Sequence, residues 1–158
     1  MEETLRVENG NLDDLDDLAA LLHDLFSQEA DFAPNRDKQL RGLRLILEQP
    51  SRGRIFVLRA AGRIIGMINL LITISTAEGG FVLLLEDLVI HKDHRGCGYG
   101  SRLLDHAVAF AREKGFLRIT LLTDATDART RLFYRHRGFV ESHMMPMRMY
   151  FSPMSDAR

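Results

Sequence analysis

Residues 89–100 read VIHKDHRGCGYG and join a long apolar run to an amphipathic stretch. The apolar run, Phe81–Ile90, has the length and composition of a buried strand, and Gly98–Lys114 repeats apolar residues at helical spacing. A turn between a strand and a helix presents backbone N–H groups at the positive end of the helix dipole. Glycines at 96, 98 and 100 leave this main chain bare, so a phosphate can approach it. The stretch therefore predicts an anion-binding loop.

Two familiar phosphate loops do not match this spacing. A Walker nucleotide loop requires Lys followed by Ser or Thr after its glycines, and neither pair follows here. A dinucleotide fingerprint requires Gly-x-Gly-x-x-Gly near the start of a βαβ unit, whereas this loop is Gly-x-Gly-x-Gly and follows two earlier strands. The remaining interpretations are an Arg-x-x-Gly-x-Gly loop, formed by Arg95, Gly98 and Gly100, and a turn that binds no ligand.

A second motif follows further along the chain, where residues 132–139 read LFYRHRGF and contain Phe-Tyr-x-x-x-Gly-Phe. In this order, the two motifs resemble those of the GNAT family of N-acetyltransferases, in which the first is the coenzyme A pyrophosphate loop. The resemblance covers roughly residues 54–143. The Glu86-Asp87 pair and the Arg95-Gly96 loop most resemble the diamine and polyamine acetyltransferase branch. The resemblance implies an α/β fold of the GNAT type, with a mixed, mostly antiparallel central sheet, helices on both faces, and a bulge in Phe81–Ile90.

Acetyl-coenzyme A is the cosubstrate that this resemblance implies, and backbone groups should make most of its contacts. The strand end, Leu88, Val89 and Ile90, would pair with the pantetheine arm as an added strand does. The pyrophosphate would lie on the loop formed by Arg95, Gly96, Cys97, Gly98, Tyr99, Gly100 and Ser101. Asp127 stands where the family often has Asn, so it is either a pantetheine contact or only a helix N-cap. Arg135 either meets the 3′-phosphate or faces solvent.

Acetyl transfer to an amine needs a base for the ammonium proton and a donor for the leaving thiolate. Glu86 interrupts an apolar run, and burial raises the pKa of a carboxyl toward neutrality, so Glu86 is the predicted base. Asp87 is the alternative, as a base or as a contact for the acceptor amine, and a water molecule could relay the proton. The resemblance implies that Tyr134 is the acid. Direct attack in a ternary complex is expected, because no residue is a credible nucleophile for an acetyl-enzyme.

Composition limits the class of protein. A chain of 158 residues with 46% apolar and 27% charged residues suits one soluble globular domain, residues 1–158. No apolar run reaches the length of a membrane span, no signal peptide is evident at the start, and one cysteine suits a reducing cytoplasm. The histidines show no metal-ligand spacing, and no basic face with interleaved aromatic residues suggests nucleic acid.

Charge is distributed unevenly along the chain. The net charge is −1, yet residues 1–31 hold ten acidic residues and a single base, Arg6. This concentration is either the solvated face of a first helix or an acidic rim that attracts a cationic acceptor.

Apolar periodicity and turn residues predict ten elements in the order β, α, α, β, β, β, α, β, α, β. They are 4–9, 12–27 with Asn11 as N-cap, 36–48, 55–60, 63–73 after a tight Ala61-Gly62 turn, 81–90, 98–114, 116–123, 127–137 and 139–151. The last segment is rich in Met and aromatic residues. We expect it to complete the sheet and to provide a homodimer interface as a second option.

The sequence thus predicts an acetyl-coenzyme A dependent N-acetyltransferase that acts on a small, cationic primary amine without a metal. Two alternatives remain open. One is acetylation of a protein lysine or N-terminus, and the other is a coenzyme A binding or sensing module without transfer activity. The presence of both Glu86 and Tyr134 favours catalysis.

Overall fold

The computed structural model describes residues 4–29 and 31–152, which group into two compact units, Met1–Leu122 and Thr123–Arg158. In the first unit the strands are β1 Leu5–Asn9, β2 Gly53–Ala60, β3 Arg63–Ser75, β4 Gly80–Ile90 and β5 Ile119–Leu121. Its helices are α1 Leu15–Phe26, α2 Arg36–Leu47 and α3 Tyr99–Glu113, with short 3-10 turns at Leu12–Asp14 and Lys92–His94. The second unit contains α4, Ala128–His136.

The five strands form one sheet in the order β1-β2-β3-β4-β5. The first three pairings are antiparallel, and β4 pairs with β5 in parallel through the α3 crossover. This arrangement confirms the predicted mixed, mostly antiparallel sheet. The register between β3 and β4 shifts once, because Leu70 faces Leu85 whereas Asn69 faces Asp87. One residue, Glu86, is therefore an extra residue of β4, and this is a β-bulge.

Helices cover both faces of the sheet, as predicted. Leu18 and Leu22 of α1 pack with Leu43 of α2 and with Val57 and Met67 of the sheet in one apolar cluster. On the opposite face, the Phe56 ring lies 4.6 Å from the His106 ring and 5.1 Å from the Phe110 ring of α3. Strand alternation explains the division, because Phe56 and Val57 are neighbours that point to opposite faces.

Gly66 of β3 lies beneath side chains of both β4 and α3. A Cβ at this position would lie 2.6 Å from Ile90 Cδ1 and 3.1 Å from Leu103 Cδ1. Leu103 itself is fully buried. A side chain at residue 66 would therefore displace Ile90 and crowd Leu103 of α3, near the end of β4 where the glycine-spaced loop begins.

Local sequence signals explain where several elements begin and end. Asn11 Oδ1 accepts a hydrogen bond from the Asp13 N–H at 2.9 Å, and Asp14 Oδ2 accepts one from the Asn11 N–H at 2.9 Å, which is a capping box. The predicted N-cap at Asn11 is thus confirmed, although it caps the 3-10 turn that leads into α1. At the β2–β3 turn, Ala61 and Gly62 have φ of 49° and 78°. Positive φ at both central residues is typical of a type I′ hairpin.

Two predicted strands differ from the structure. β5 is only three residues long instead of the predicted 116–123, because its pairing with β4 ends at Leu85 and Leu121. The predicted strand at 139–151 is wrong, since no residue from 139 to 152 is in a strand. A strand exists only beside a hydrogen-bonded neighbour, and the described part of the second unit contains no other strand. The expected completion of the sheet by this segment is therefore also wrong. Its apolar side chains are exposed: Met144, Met145, Met147, Met149, Tyr150 and Phe151.

No helix within the described ranges is long and apolar enough to cross a membrane.

The hairpin turn generates a prediction about stability. Ala61 is the one non-glycine residue with positive φ among the described residues. This conformation costs an L-residue with a Cβ about 1–2 kcal/mol, and Asn tolerates it better. We expect Ala61→Asn to raise the free energy of unfolding by about 0.5–1 kcal/mol in urea denaturation. Gly62→Ala, at the adjacent position, should lower it, and a gain of stability from both substitutions would contradict the turn assignment.

Candidate functional site

The glycine-spaced loop joins the end of β4 to the first turn of α3. Gly96 and Gly98 have φ of 77° and 80°, and a Cβ at either position would meet no atom within 4 Å. Their glycine requirement therefore comes from backbone conformation, and the space above the loop is open. In the described part of the chain, no protein acceptor takes the N–H groups from Gly96 to Ser101. α3 begins at Tyr99, so these donors lie at the positive end of its dipole. The loop thus has the free donors that an anion site needs, and anion binding by it stays a prediction.

Arg95 and Cys97 line the same loop and are both exposed. The Arg95 Nε donates a hydrogen bond to the Ile90 carbonyl at 3.0 Å. This bond ties the stem of the guanidinium to the end of β4 and orients its charge near the loop. The Cys97 Sγ lies 3.7 Å from the Arg95 carbonyl oxygen and contacts no group that would activate a thiolate.

The bulge at Glu86 changes the direction in which the β4 backbone faces. Before the bulge, the Leu83 N–H donates to Arg118 O at 2.9 Å, on the β5 side. After it, the His91 N–H donates to Ile65 O at 2.7 Å, on the β3 side. Because backbone direction alternates along a strand, Val89 faces β3 and both Leu88 and Ile90 face the β5 side.

β5 ends before it reaches the last residues of β4. The pairing between β4 and β5 stops at Leu85 and Leu121. The backbone groups of Leu88 and Ile90 therefore lie on an edge without a paired strand in the described residues, and an extended chain that carries amide groups can bind there. Of the three predicted backbone contacts, Leu88 and Ile90 fit this role. Val89 does not, because its backbone is turned toward Met67 of β3.

At the bulge, Asp87 takes the buried environment that the sequence analysis expected for Glu86, which is an exchange between the two carboxyl groups. Glu86 is exposed, whereas Asp87 is only 7% exposed. Burial raises the pKa of Asp87 to about 7, a hydrogen bond from Asn69 opposes this shift, and the negative charges of Glu86 and Glu29 add to it. The expectation that Glu86 is the buried carboxyl is wrong. Strand alternation could not predict the exchange, because the bulge interrupts the alternation.

Asn69 is a site residue that the sequence analysis missed, and Glu29 was included there only as one of the ten acidic residues of 1–31. The Asn69 Nδ2 donates to Asp87 Oδ2 at 2.9 Å, directly across the β3–β4 ladder. A signal for Asn69 existed, since it is a polar residue within the apolar run Met67–Leu71. Glu29 follows α1 and had no such signal beyond its acidic neighbours in sequence.

In the second unit, the spacing of the Phe-Tyr-x-x-x-Gly-Phe motif corresponds to a helix C-terminus. The Phe139 N–H donates to Tyr134 O at 3.1 Å, and the Gly138 N–H donates to Arg135 O at 3.0 Å. With Gly138 at φ 95°, these bonds form a Schellman motif. The Phe139 ring packs against the Tyr134 ring at 5.5 Å, which is the apolar contact that accompanies this motif. The motif thus fixes the half-buried Tyr134 at the end of α4.

The other predicted residues of this unit have partners within it. The Asp127 carboxylate accepts from the Thr130 N–H at 3.0 Å and from the Thr130 hydroxyl at 2.6 Å, and both bonds lower the pKa of Asp127. It is the N-cap of α4, the simpler of its two predicted roles, and a pantetheine contact stays a prediction. Arg135 forms an ion pair with Glu141, which also lies 3.5 Å from Arg131. Any phosphate contact by Arg135 must compete with Glu141.

Among the residues that the structure describes, no group of three or more His, Cys, Asp or Glu side chains is placed to hold a metal ion.

The predicted site residues divide between the two units. The β4 end, the loop and the start of α3 carry Glu86 to Ser101 as one continuous stretch, and α4 carries Asp127, Tyr134 and Arg135.

Comparison with known proteins gives a consistent result. Residues 15–139 match the family model described as the acetyltransferase (GNAT) family. Glucosamine 6-phosphate N-acetyltransferase of Trypanosoma brucei brucei is 30% identical over 97 residues, which are 61% of this chain and 63% of that protein, so the chain spans less than two thirds of this relative.

Solved structures show the same architecture. A possible acetyltransferase from Clostridium difficile 630 superposes with a TM-score of 0.84 at 16% identity, over 96% of this chain and 99% of that one. An aminoglycoside acetyltransferase from an uncultured soil metagenomic sample, in complex with sisomicin, gives 0.73 at 19% identity, over 94% and 97%. At these identities the superpositions establish the fold alone.

The buried Asp87 generates a prediction about pH and stability. Between pH 3.8, its ordinary pKa, and about 7, the folded protein holds a proton that the unfolded chain has released. The free energy of unfolding therefore falls as pH rises through this interval. Asp87→Asn removes the titrating group and keeps an acceptor for Asn69. We expect its melting temperature to exceed that of the wild type at pH 8 and to converge on it near pH 4. A difference that is constant between these pH values would contradict the raised pKa.

Proposed function

Because the chain belongs to the acetyltransferase (GNAT) family, we propose that it is an N-acetyltransferase that transfers an acetyl group from acetyl-coenzyme A to a small, cationic primary amine. The observation that carries this proposal is the conjunction, within one stretch of chain, of an open strand edge, an anion-binding loop and a buried carboxyl with a pKa of about 7. The family match spans residues 15–139 and extends from the first compact unit into the first part of the second, which supports one domain over residues 1–158.

The residues of the β4 end and the loop fit coenzyme A. Its pantetheine arm is an extended chain with amide groups, and the backbone of Leu88 and Ile90 offers the donors and acceptors for such a chain. Its pyrophosphate suits the N–H groups of Gly96–Ser101 and the charge of Arg95. Bound acetyl-coenzyme A supplies an activated acetyl thioester. Arg135 and Asp127 are secondary candidates for contacts with coenzyme A. Arg135 already forms an ion pair with Glu141, and Asp127 already accepts hydrogen bonds from Thr130.

Asp87 replaces Glu86 as the proposed base. An alkylammonium with a pKa of about 10 must lose a proton before it can attack, and a base with a pKa near the working pH is best suited to accept it. Burial gives Asp87 such a pKa, whereas Glu86 is exposed. We assign Glu86 to the acceptor side, where its charge attracts the ammonium group. The proton passes to Asp87 directly or through water.

Tyr134 is the proposed acid. A free phenol has a pKa of about 10 and a free thiol one of about 8.5, so a hydrogen bond that strengthens as the thiolate forms is favoured over full proton transfer. The Schellman motif holds this ring at the end of α4. Direct attack by the amine in a ternary complex follows, because the exposed Cys97 has no base in contact and is a poor acetyl carrier.

The charge around Asp87 favours a cationic acceptor. Glu86 and Glu29 both raise the pKa of Asp87 through their negative charges, and among the described residues no cation opposes them. Such a site would attract a polyamine or an aminoglycoside, the class named for one structural neighbour, and would repel a phosphorylated amino sugar, the class named for the trypanosome relative. A turnover screen that includes these three amines and a peptide lysine separates the small-molecule proposal from protein acetylation, and turnover of none supports a sensing module.

Two further properties belong to this proposal. The single cysteine, Cys97, is exposed and free, which suits a reducing compartment such as the cytoplasm. The acceptor side requires neither a metal nor nucleic acid in this mechanism.

The first prediction concerns the cosubstrate. A ligand that binds only the folded state at 100 times its Kd stabilises that state by about 2.7 kcal/mol, so acetyl-coenzyme A should raise the melting temperature. Arg95→Ala combined with Gly98→Asp should abolish this increase by placing a carboxylate where the phosphate lies. Gly79→Asp is the matched control, since Gly79 also has positive φ and open space around its Cβ position but lies in the β3–β4 turn. An unchanged increase in the folded double variant would mean that the anion loop is misassigned.

The second prediction concerns proton transfer. Tyr134→Phe should lower kcat by about 10²-fold and leave the KM for acetyl-coenzyme A unchanged, because the ring stays in place and only the donor is lost. Asp87→Asn should lower kcat by a similar factor and be partly rescued at high pH, where free amine is abundant. Glu86→Gln should mainly raise the KM for the amine. A larger loss of kcat in Glu86→Gln than in Asp87→Asn, measured on one amine, would restore Glu86 as the base.

The third prediction concerns assembly. Six apolar side chains between Met144 and Phe151 are between 75% and 91% exposed, which is unusual for residues of this size. We propose that they form a homodimer interface, and we expect light scattering at micromolar concentration to give twice the mass of 18.0 kDa. Replacement of Met145 and Met147 by Gln should return the mass to that of a monomer. A wild-type monomer would remove the dimer proposal.

A further inference from the structure

Asn69 is an amide buried in an apolar strand. It is 3% exposed and lies between Ile68 and Leu70, which are both fully buried. Its partner across the β3–β4 ladder is Asp87, at the point where the bulge shifts the register. Burying an amide in such surroundings is unfavourable unless its polar atoms are paired, so a buried Asn at this position needs an explanation.

Only one end of the Asn69 amide has a partner. Its Nδ2 donates to Asp87 Oδ2 at 2.9 Å. Its Oδ1 is buried and, among the described residues, accepts from no donor. A buried carbonyl oxygen without a donor costs about 1–3 kcal/mol. The orphaned atom therefore lies beside the one carboxyl at the bulge that is also buried.

The chemistry of the amide explains the orphaned oxygen. A carboxamide is planar and presents a donor and an acceptor of nearly the same shape, so rotation about its last torsion exchanges their positions. An ionised carboxylate needs a donor, and a protonated carboxyl needs an acceptor for its O–H. Asn69 Nδ2 can donate to the ionised carboxylate of Asp87, and Asn69 Oδ1 can accept from the O–H of its protonated form.

We propose that Asn69 is a positioning residue for Asp87, and that its amide holds this carboxyl in one place in both protonation states. Nδ2 donates to the ionised form, and Oδ1 accepts from the protonated form after the amide has rotated. This inference rests on the proposed role of Asp87 as the base. It means that the carboxyl keeps its position when it takes the proton from the amine and when it releases that proton to solvent.

The groups that act on Asp87 determine in which direction its pKa should move when the Asn69 amide is lost. Glu86 on the same strand and Glu29 after α1 are both acidic and favour the protonated carboxyl. The hydrogen bond from Asn69 favours the ionised form and is the one contact that lowers the pKa of Asp87. Loss of the amide therefore raises this pKa further and leaves the carboxyl without a partner in either state.

The test compares two buried amides. Asn69→Leu removes the amide at nearly constant volume. Gln39→Leu is the matched control, because Gln39 of α2 is 6% exposed and neither of its amide atoms has a partner among the described residues. Carbon-13 NMR follows the titration of the Asp87 carboxyl, which is assigned from its loss in Asp87→Asn. Asn69→Ser, which retains a hydroxyl that donates and accepts, provides a second variant if the Leu variant does not fold.

We expect the Asp87 titration midpoint to rise by about one to two pH units in Asn69→Leu, the equivalent of one hydrogen bond to a charged group. It should rise less in Asn69→Ser and stay constant in Gln39→Leu. In turnover assays, the acid limb of the pH–rate profile should move by the same amount as the midpoint, with the KM for acetyl-coenzyme A unchanged.

Three outcomes decide between the inference and the function on which it rests. An unchanged midpoint in both Asn69 variants would overturn the positioning role. A rise of the same size in Gln39→Leu would overturn it as well, because the effect would then be general to the core. A shifted midpoint in a protein that acetylates none of the amines tested would support the Asn69–Asp87 pairing and overturn the proposed function instead.

Discussion

The β-bulge at Glu86 is the constraint on which the candidate site depends. One extra residue in β4 shifts its register against β3, so that Asn69 faces Asp87 where Leu70 faces Leu85. The same residue reverses which β4 backbone groups face β3 and which face the β5 side. The apolar ladder between β3 and β4 therefore ends at the bulge, where the polar pair of Asn69 and Asp87 is buried. The open strand edge at Leu88 and Ile90 follows within five residues of chain. Without the bulge, Leu88 and Ile90 would face β3, and the backbone groups of Asp87 and Val89 would face the open edge instead.

The loop and the second motif depend on backbone conformation more than on side-chain chemistry. Positive φ at Gly96 and Gly98 turns the chain from β4 into α3 and aims its N–H groups outward. Positive φ at Gly138 closes α4 and brings Phe139 onto Tyr134. α3 ends in the same way at Gly115, with the Phe116 N–H donating to Ala111 O at 2.9 Å. The positions of Gly115 and Gly138 in the sequence therefore correspond to the hydrogen bonds that close the C-terminal ends of α3 and α4.

Much of the fold could be predicted because its signals are local. The capping residues around Asn11, the Ala61-Gly62 turn and the apolar stripe of α3 each depend on neighbours within a few residues. The glycine-containing turn from β4 into α3 was predictable for the same reason. The mixed sheet with helices on both faces was expected from the family resemblance and not from these local signals.

The wrong predictions concern residues whose environment is set by a partner that is distant in the sequence. The environment of Glu86 depended on the position of the bulge, which the family resemblance implied only for Phe81–Ile90 as a whole and which the pairing with β3 places at Glu86. Asn69 gained its role from a residue on another strand. Residues 139–151 have apolar composition but no neighbouring strand in the described part of their unit, and composition cannot supply one. Val89 was included among the ligand contacts because the sequence does not indicate which backbone groups the bulge reverses.

Amide hydrogen exchange of β4 and the following loop, resolved by residue, tests the central claim most directly. If the bulge turns Leu88 and Ile90 toward the open strand edge, Asp87, Val89 and His91 should exchange slowly, and Leu88 and Ile90 should exchange fast in the free protein. Acetyl-coenzyme A should then protect Leu88, Ile90 and the loop 96–101 without changing Val89. Slow exchange at Leu88 and Ile90 in the free protein, or no added protection with acetyl-coenzyme A, would contradict this account of the site.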